Sequence, residues 1–456
     1  MKLVYNVDDK PKFGQLIIFG IQQLLAIMAA TLVVPVIIGN GMSSAAALFG
    51  AGVGTIIYVL FTKKKSPVFL GSSFAFIGSM FAAFAGGVSM ALGYLGIILG
   101  AVFAGLVYVV IAIIVKFAGV KWINKLMPAV VIGPTVSIIG LSLAGNAIGD
   151  LTSGGLKVDG ASVASPYAAL ICGLVTLFVV CISSVYGKKT AKLIPFIIGI
   201  LAGYTVAVIF TVIGNTAGID ALKVIDFSHI TSLFANGVTL ESFIKVPDFT
   251  FLTAFKGFVE LNASYVVTVI AAYVPVAFVV FAEHIADHKN ISTIIEKDLL
   301  EEPGLSRTLL GDGIGSMVGA FFGGCPNTTY GESVGCVAIT KNASIFTIIT
   351  AAIMAMLISF ISPFVAFVNS IPSCVMGGVC VALYGFIAVS GLKMIQKVDL
   401  EENKNLFVVS AILIAGIGGL TLKFGNIEIT TIACALILGI ILNIILSKKK
   451  DEVAEK

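Results

Sequence analysis

Five ionisable side chains interrupt apolar stretches long enough to cross a bilayer: Glu283, Asp287, His288, Asp312 and Glu332. On insertion scales a charged residue at a helix centre costs about 2.5–3.5 kcal/mol, so such residues usually face a polar cavity rather than lipid. Glu283, Asp287 and His288 fall on one predicted helix. Glu332 opens another, directly after the helix-breaking run Pro326-Asn327-Thr328-Thr329-Tyr330-Gly331. Thr328, Thr329 and Tyr330 favour extended backbone. The helix that then begins at Gly331 presents unpaired N–H groups and the positive end of its dipole. Backbone amides there and around Phe74 are donors, Glu283 and Glu332 are acceptors, and Phe74 and Tyr330 supply aromatic rings. This set suits a small planar lactam with alternating C=O and N–H groups, such as a nucleobase. It suits a free anion poorly, because two carboxylates would repel it. Glu283 and Asp287 lie four residues apart on one helix face. Two buried carboxylates so close do not both ionise cheaply, which makes the pair a proton-binding group beside the ligand. Asp312 and His288 are the further candidates for proton coupling. His284 reads as a packing residue, His288 as an interfacial residue near Lys289, and Asp312, in Gly311-Asp312-Gly313, as a residue at a helix start or one that ties neighbouring helices together. Gln22 and Gln23 either line the cavity or bond between helices.

The elements that position these residues follow from composition. Of 456 residues, 58% are hydrophobic and only 11% charged, with a mean hydropathy of +1.08. A soluble domain carries about 25% charged residues, so the chain reads as an all-α polytopic membrane protein. Its apolar runs are near-continuous, without the short alternating segments of an outer-membrane barrel. Fourteen runs are predicted: 14–38, 44–62, 68–87, 91–117, 128–147, 165–186 and 193–214, then 262–287, 306–323, 326–341, 344–369, 372–394, 405–423 and 428–447. Lysines follow the even-numbered runs: Lys63, Lys64 and Lys65; Lys116, Lys121 and Lys125; Lys188, Lys189 and Lys192; Lys289 and Lys297 with Arg307; Lys341; Lys393 and Lys397; and Lys448, Lys449 and Lys450. That places both termini in the cytoplasm. The first run is too long for a signal-peptide core and reads as a retained helix.

Seven is odd, so two matching halves lie in opposite orientations, the inverted-repeat plan of many secondary transporters. Each half's third run is broken, at Gly71-Ser72-Ser73-Phe74-Ala75-Phe76 and at Pro326 to Glu332. Paired interruptions of this kind point to a midplane site, and non-helical backbone is tolerated there only inside the protein. The loop 215–248 between the halves reads as an extracellular linker with one surface helix, and His229 as a solvated residue within it. The seven cysteines form no Cys-x-x-Cys pair and read as small buried hydrophobes. No cofactor motif, metal cluster, nucleophile–base pair or phosphate loop marks an enzyme, and no basic block marks a nucleic-acid partner.

Leu70-Gly71-Ser72-Ser73-Phe74-Ala75-Phe76, Ala282-Glu283-His284, Lys297-Asp298-Leu299-Leu300 with Pro303-Gly304-Leu305, and Pro326-Asn327-Thr328-Thr329-Tyr330-Gly331-Glu332 together resemble the nucleobase–ascorbate transporter (nucleobase:cation symporter-2) family, and within it the bacterial uracil permeases. The resemblance covers almost the whole chain. It implies fourteen spans in two inverted repeats, with a core domain at residues 1–127 and 249–370 and a gate domain at 128–248 and 371–456. It implies proton-coupled uracil uptake by alternating access across a bacterial cytoplasmic membrane, and a homodimer formed through the gate domain. By residue match, Phe74 and Gly331 supply main-chain amides while Glu283 and Glu332 bind the base. Two positions depart from the pattern. Asp287 stands where uracil permeases carry a histidine one turn after the glutamate, and Ser333 stands where asparagine is usual. Asp312 matches an acidic position of many purine-transporting members, so a xanthine or other purine permease is the nearest alternative. An anion transporter sharing the inverted seven-segment fold is a more distant one. Sodium coupling is open, because carboxylates and carbonyls serve either ion.

Overall fold

The computed structural model describes residues 3–119, 122, 128–158, 161–188, 190–235, 237–424 and 427–453. Lys121, Lys125 and Lys189, used above to orient the chain, lie outside this set. The first half comprises helices α1 (Phe13–Ile38), α2 (Ser44–Phe61), the strand β1 (Leu70–Ser72), α3 (Ile77–Ala83), α4 (Met90–Ala118), α5 (Ala129–Ser142), α6 (Ala144–Leu151), α7 (Pro166–Tyr186) and α8 (Pro195–Ala217). The second comprises α9 (Ala263–Ile295), α10 (Leu305–Gly323), the strand β2 (Asn327–Thr329), α11 (Gly331–Thr340), α12 (Ile345–Ile358), α13 (Ser362–Ser370), α14 (Ser373–Ile395), α15 (Asn403–Ile417) and α16 (Thr431–Val453). Helix starts follow side-chain caps. Ser43 Oγ accepts from Ala46 N at 3.2 Å, Ser89 Oγ from Leu92 N at 3.1 Å and Asn262 Oδ1 from Tyr265 N at 3.0 Å, each satisfying one orphan donor of a first turn. Among the described residues, eight helices are long and apolar enough to cross a membrane.

The two broken segments solve each other's problem. Pro67 and Pro326 keep the chain out of a helix, and main-chain groups freed inside a bilayer must find partners within the protein. Strands β1 and β2 pair antiparallel, Leu70 with Thr329, Gly71 with Thr328 and Ser72 with Asn327. Ser73 N to Pro326 O at 2.9 Å and Tyr330 N to Phe69 O at 3.2 Å extend the ladder at its two ends. All six strand residues are buried. A ribbon this short would not stand alone in water; here helices enclose it. α2 and α10 approach so closely that a Cβ on Gly50 would lie 2.6 Å from Gly319 O, a small-residue contact typical of helices in lipid.

α2 packs on α10 and α12, α4 on α9 and α10, and α1 on α11 and α12. α14 packs on α5, α6, α7 and α8, and α5 on α15 and α16. Fewer contacts join the two groups; they run through α9 against α5, α16 and the strand Ile427–Ile429, and through α1 against α8 and α14.

Several boundaries differ from the hydropathy reading. The predicted helix 344–369 is two helices, because Lys245 N bonds Phe360 O and Ile244 bridges Ile361, which holds the chain extended between them. The predicted helix 405–423 ends at Ile417, and Leu422–Phe424 turns back as a strand against Ile427–Ile429. α9 continues to Ile295, two turns past the predicted end at 287. Among the described residues of the linker, the short helix Ser228–Thr231 runs on into the 3-10 turn Ser232–Phe234.

Candidate functional site

Three elements bring the sequence-selected residues together. α9 carries Glu283, His284, Asp287 and His288 on successive turns. β2 delivers Thr329, and α11 starts at Gly331 with Glu332 in its first turn after an extended Tyr330 (φ −105, ψ 121). Thr329 Oγ1 donates to Asp287 Oδ2 at 3.0 Å, which ties the strand to α9. A Cβ on Gly331 would lie 3.8 Å from Asp287 Oδ1 and touch nothing nearer. Glu283 lies within electrostatic reach of Asp287, Glu332 and Asp312. Glu283 and Glu332 are partly exposed and Gly331 is exposed, whereas Thr328, Thr329 and Tyr330 behind them are buried. Of these neighbouring carboxylates, Glu283 and Glu332 keep accessible surface while Asp287 is buried. The N–H groups of Gly331 and Phe74 have no main-chain partner among the described residues; donors of a first helical turn and of a broken segment are free in this way to meet a ligand.

The two aromatic residues differ. Phe74 follows β1, and its ring meets Tyr384 of α14 edge-on, with centroids 6.0 Å apart. Beyond it a cavity of about 350 Å³ runs between α3, the α5–α6 junction and the start of α16, lined by Phe74, Phe81, Asn146, Thr430 and Thr431. Tyr330 is 3% exposed, and its hydroxyl donates to Ser72 O at 2.7 Å. Its ring fills the notch left by Gly71, where a Cβ would come within 2.3 Å of it. Expected as an aromatic wall for a ligand, the Tyr330 side chain is instead taken up by packing across β1.

Helix contacts that hydropathy does not reveal hold this arrangement. Ser333 Oγ accepts from Gln23 Nε2 at 2.5 Å and from Phe69 N at 2.9 Å, joining α1, the β1 approach and α11. Of the two readings for Gln23, the bond between helices is the one observed. Asp312, expected at a helix start or as a tie, sits in the interior of α10, fully buried, with Oδ2 2.7 Å from His284 Nδ1. His284 Nε2 is 3.0 Å from Thr308 Oγ1. His288 is not interfacial: the longer α9 carries it into the core, where it is fully buried. Its Nδ1 donates to His284 O at 2.7 Å, and its Nε2 is 2.6 Å from the Tyr58 hydroxyl. Tyr58 and Thr329 were not among the sequence candidates. Tyr58 looks like any apolar-helix aromatic, and Thr329 was marked only for its extended preference.

The sequence profile of the permease family matches residues 14–425. The chain is 37% identical to the uracil permease of Bacillus caldolyticus over 449 residues, covering 98% of this chain and 95% of that protein. It is 36% identical to the uracil permease of Bacillus subtilis (strain 168), covering 100% and 98%, and 34% identical to that of Escherichia coli (strain K12), covering 96% and 93%. Among solved structures, the transmembrane domain of the cyanobacterial bicarbonate transporter BicA matches with a TM-score of 0.59 at 14% identity, covering 96% of this chain and 99% of that one. Murine Slc26a9, an anion transporter in the inward-facing state, matches with a TM-score of 0.65 at 10% identity, covering 97% and 69%. At that identity the likeness is one of fold. Sequence identity of a third over nearly full length, with the motifs at both broken segments, goes further: the chain is an integral, multi-pass membrane protein that belongs to this permease family, the nucleobase–ascorbate transporters, with bacterial uracil permeases among its relatives.

Proposed function

We propose that the chain imports uracil across the bacterial cytoplasmic membrane together with a proton. The observation that carries this reading is the meeting of Glu283, Asp287 and Glu332 in front of the β1–β2 pair, at the first turn of α11. Uracil has two N–H donors and two carbonyl acceptors. Glu283 and Glu332 accept from the N–H groups; the free amides of Gly331 and Phe74 donate to the carbonyls, with Phe74 against the ring. The coupling proton belongs to the Glu283–Asp287 pair, because a proton bound there removes the repulsion that otherwise opposes two carboxylates accepting from one small base.

In this reading fourteen segments cross the membrane as two inverted sets of seven, with both termini in the cytoplasm. α1–α4 with α9–α13 make a core domain that carries the site. α5–α8 with α14–α16 make a gate domain that forms the dimer. Alternating access is movement of one against the other, and the sparse contacts between the two packing groups support it. The carboxylates also weigh against an anion cargo, although the solved structures of similar fold include anion transporters.

The test is uptake of labelled uracil by cells expressing the protein, with and without a proton uncoupler, and with purines as competitors. Uptake abolished by the uncoupler and blocked by unlabelled uracil is the expected result. Uptake indifferent to the uncoupler removes the proton. Competition by xanthine but not by uracil moves the reading to the purine permeases.

A further inference from the structure

Hydrogen-bond bookkeeping around Asp312 leads beyond the site's own residues. His284 Nδ1 faces Asp312 Oδ2 at 2.7 Å, and His284 Nε2 faces Thr308 Oγ1 at 3.0 Å. Thr308 Oγ1 also lies 3.1 Å from Leu305 O, which only accepts. Two proton placements give every donor an acceptor; a third, with the acid proton on Asp312 Oδ1, would bury an O–H that meets no acceptor among the described residues. In the first, Thr308 donates to His284 Nε2, so Nδ1–H donates to an ionised Asp312 and the group carries a charge of −1. In the second, Thr308 donates to Leu305 O, His284 Nε2–H donates to Thr308, and one proton lies between Nδ1 and Oδ2, so the group is uncharged whichever atom holds that proton.

Burial decides between them. Both side chains are 0% exposed. No donor among the described residues reaches Asp312 Oδ1. A net charge with one bare oxygen in the interior costs several kcal/mol, far more than an undonated oxygen of a neutral acid. The surroundings add to that cost. Glu283 and Asp287 of α9 are within electrostatic reach. The other facing groups are neutral: His288 stacks on His284 with centroids 4.0 Å apart, Tyr108 of α4 meets it at 6.4 Å, and Tyr58 of α2 lies beyond His288. Among the described residues no Lys or Arg is bonded to the group. We propose that Asp312 and His284 form a single uncharged unit, with one shared proton, that fixes α9 against α10 and so positions Glu283, while Asp312 itself carries no transported proton.

The transport arm of the test rests on the uracil reading; a spectroscopic arm does not. In Asp312→Asn the amide N–H replaces the acid O–H toward Nδ1. Proton-driven uracil accumulation is expected within about three-fold of the parent, with the same pH profile. Asp312→Leu removes the donor and is expected to slow uptake about ten-fold or more. An Asp312→Asn protein that binds uracil yet no longer accumulates it against a proton gradient overturns the proposal. The second arm uses the parent protein with ¹⁵N-labelled histidine. The chain has three histidines, so assignment needs only His229→Gln and His288→Gln. His284 is expected to keep a proton on Nε2 from about pH 5.5 to about pH 8.5, the range in which free histidine titrates. An Nε2 without a proton overturns the proposal whether or not the protein transports uracil. A parent protein that takes up no uracil refutes the function and leaves the nitrogen measurement to decide the unit.

Discussion

Gly331 and Gly71 are both glycines of the broken segments, yet the geometry gives them opposite consequences on substitution. At Gly331, a Cβ would meet nothing closer than Asp287 Oδ1 at 3.8 Å, an ordinary contact. The residue is the first of α11, and alanine is a better helix former than glycine by about 1 kcal/mol. Gly331→Ala therefore folds with stability equal to the parent or slightly above it. Its methyl group projects into the accessible space in front of the strand pair, where a bound base would approach the Gly331 amide. Forcing one methyl group into a filled site costs about 1–3 kcal/mol, or about 5- to 150-fold in affinity. At Gly71 the same methyl group would lie 2.3 Å from the Tyr330 ring and 2.9 Å from Thr31 Oγ1. That ring is buried and held by its bond to Ser72 O, so it cannot swing away, and Gly71→Ala loses stability. The assay is paired: thermal unfolding of each purified variant in detergent, and uracil binding by calorimetry. Gly331→Ala should unfold like the parent and bind uracil poorly; Gly71→Ala should unfold earlier. Normal uracil affinity in Gly331→Ala would place the ligand elsewhere. A loss of stability in Gly331→Ala equal to that of Gly71→Ala would show that the residue packs and does not bind.

Glu332→Gln keeps size and replaces a charged acceptor by a neutral one; uracil KM should rise by about ten-fold, the difference between a charged and a neutral hydrogen bond, and an unchanged KM removes Glu332 from the site. Thr329→Val deletes the donor to Asp287 at constant volume, so uptake should fall about ten-fold or more while Thr329→Ser retains it; equal uptake by all three proteins would make that bond incidental. Tyr330→Phe leaves Ser72 O without its hydroxyl donor and should lower unfolding stability by about 1–2 kcal/mol, with uracil affinity changed less than stability. At the exposed ends of the helices, the hydrogen bond and charge of Lys65 hold the Glu302 carboxyl below its ordinary range. The ion pair is therefore present at neutral pH and is lost as acid protonates Glu302. Because both groups are exposed, Lys65→Ala should leave the melting temperature at neutral pH unchanged.

Much of the fold was legible because the bilayer makes local rules strict. Uninterrupted apolar runs had to be helices, and the two with Pro, Gly and a hydroxyl residue (Ser in the first, Thr in the second) near matching places had to break. Ends written in side chains were found within a residue or so: Ser43 and Ser89 cap helices predicted from 44 and 91. Ends set by tertiary pairing were not. Near residue 360 the sequence offers Pro363 after Ser362, a helix-start signal that the apolar run overrode, and the bridge from Ile244 that holds the break lies more than a hundred residues away in sequence. The end at Ile417 was signalled by Gly418-Gly419, and the following Leu420 and Leu422 carried the apolar reading past it. At the site, the acidic residues stood out by the cost of placing them in lipid. Their neighbours did not. The partner of Asp312 is on another helix, and Thr329 gains its role only because β2 lies beside α9. Tyr330 shows the reverse error: an aromatic residue in a binding motif was assigned to the ligand when Gly71 had reserved space for its ring.

The account turns on where the base lies. An experimental structure of the protein saturated with uracil measures this directly. The base should lie between the first turn of α11 and the residues after β1, with its N–H groups toward Glu283 and Glu332 and its carbonyls toward the amides of Gly331 and Phe74. Density for the base at any other place, or either glutamate turned away toward lipid, would contradict the account.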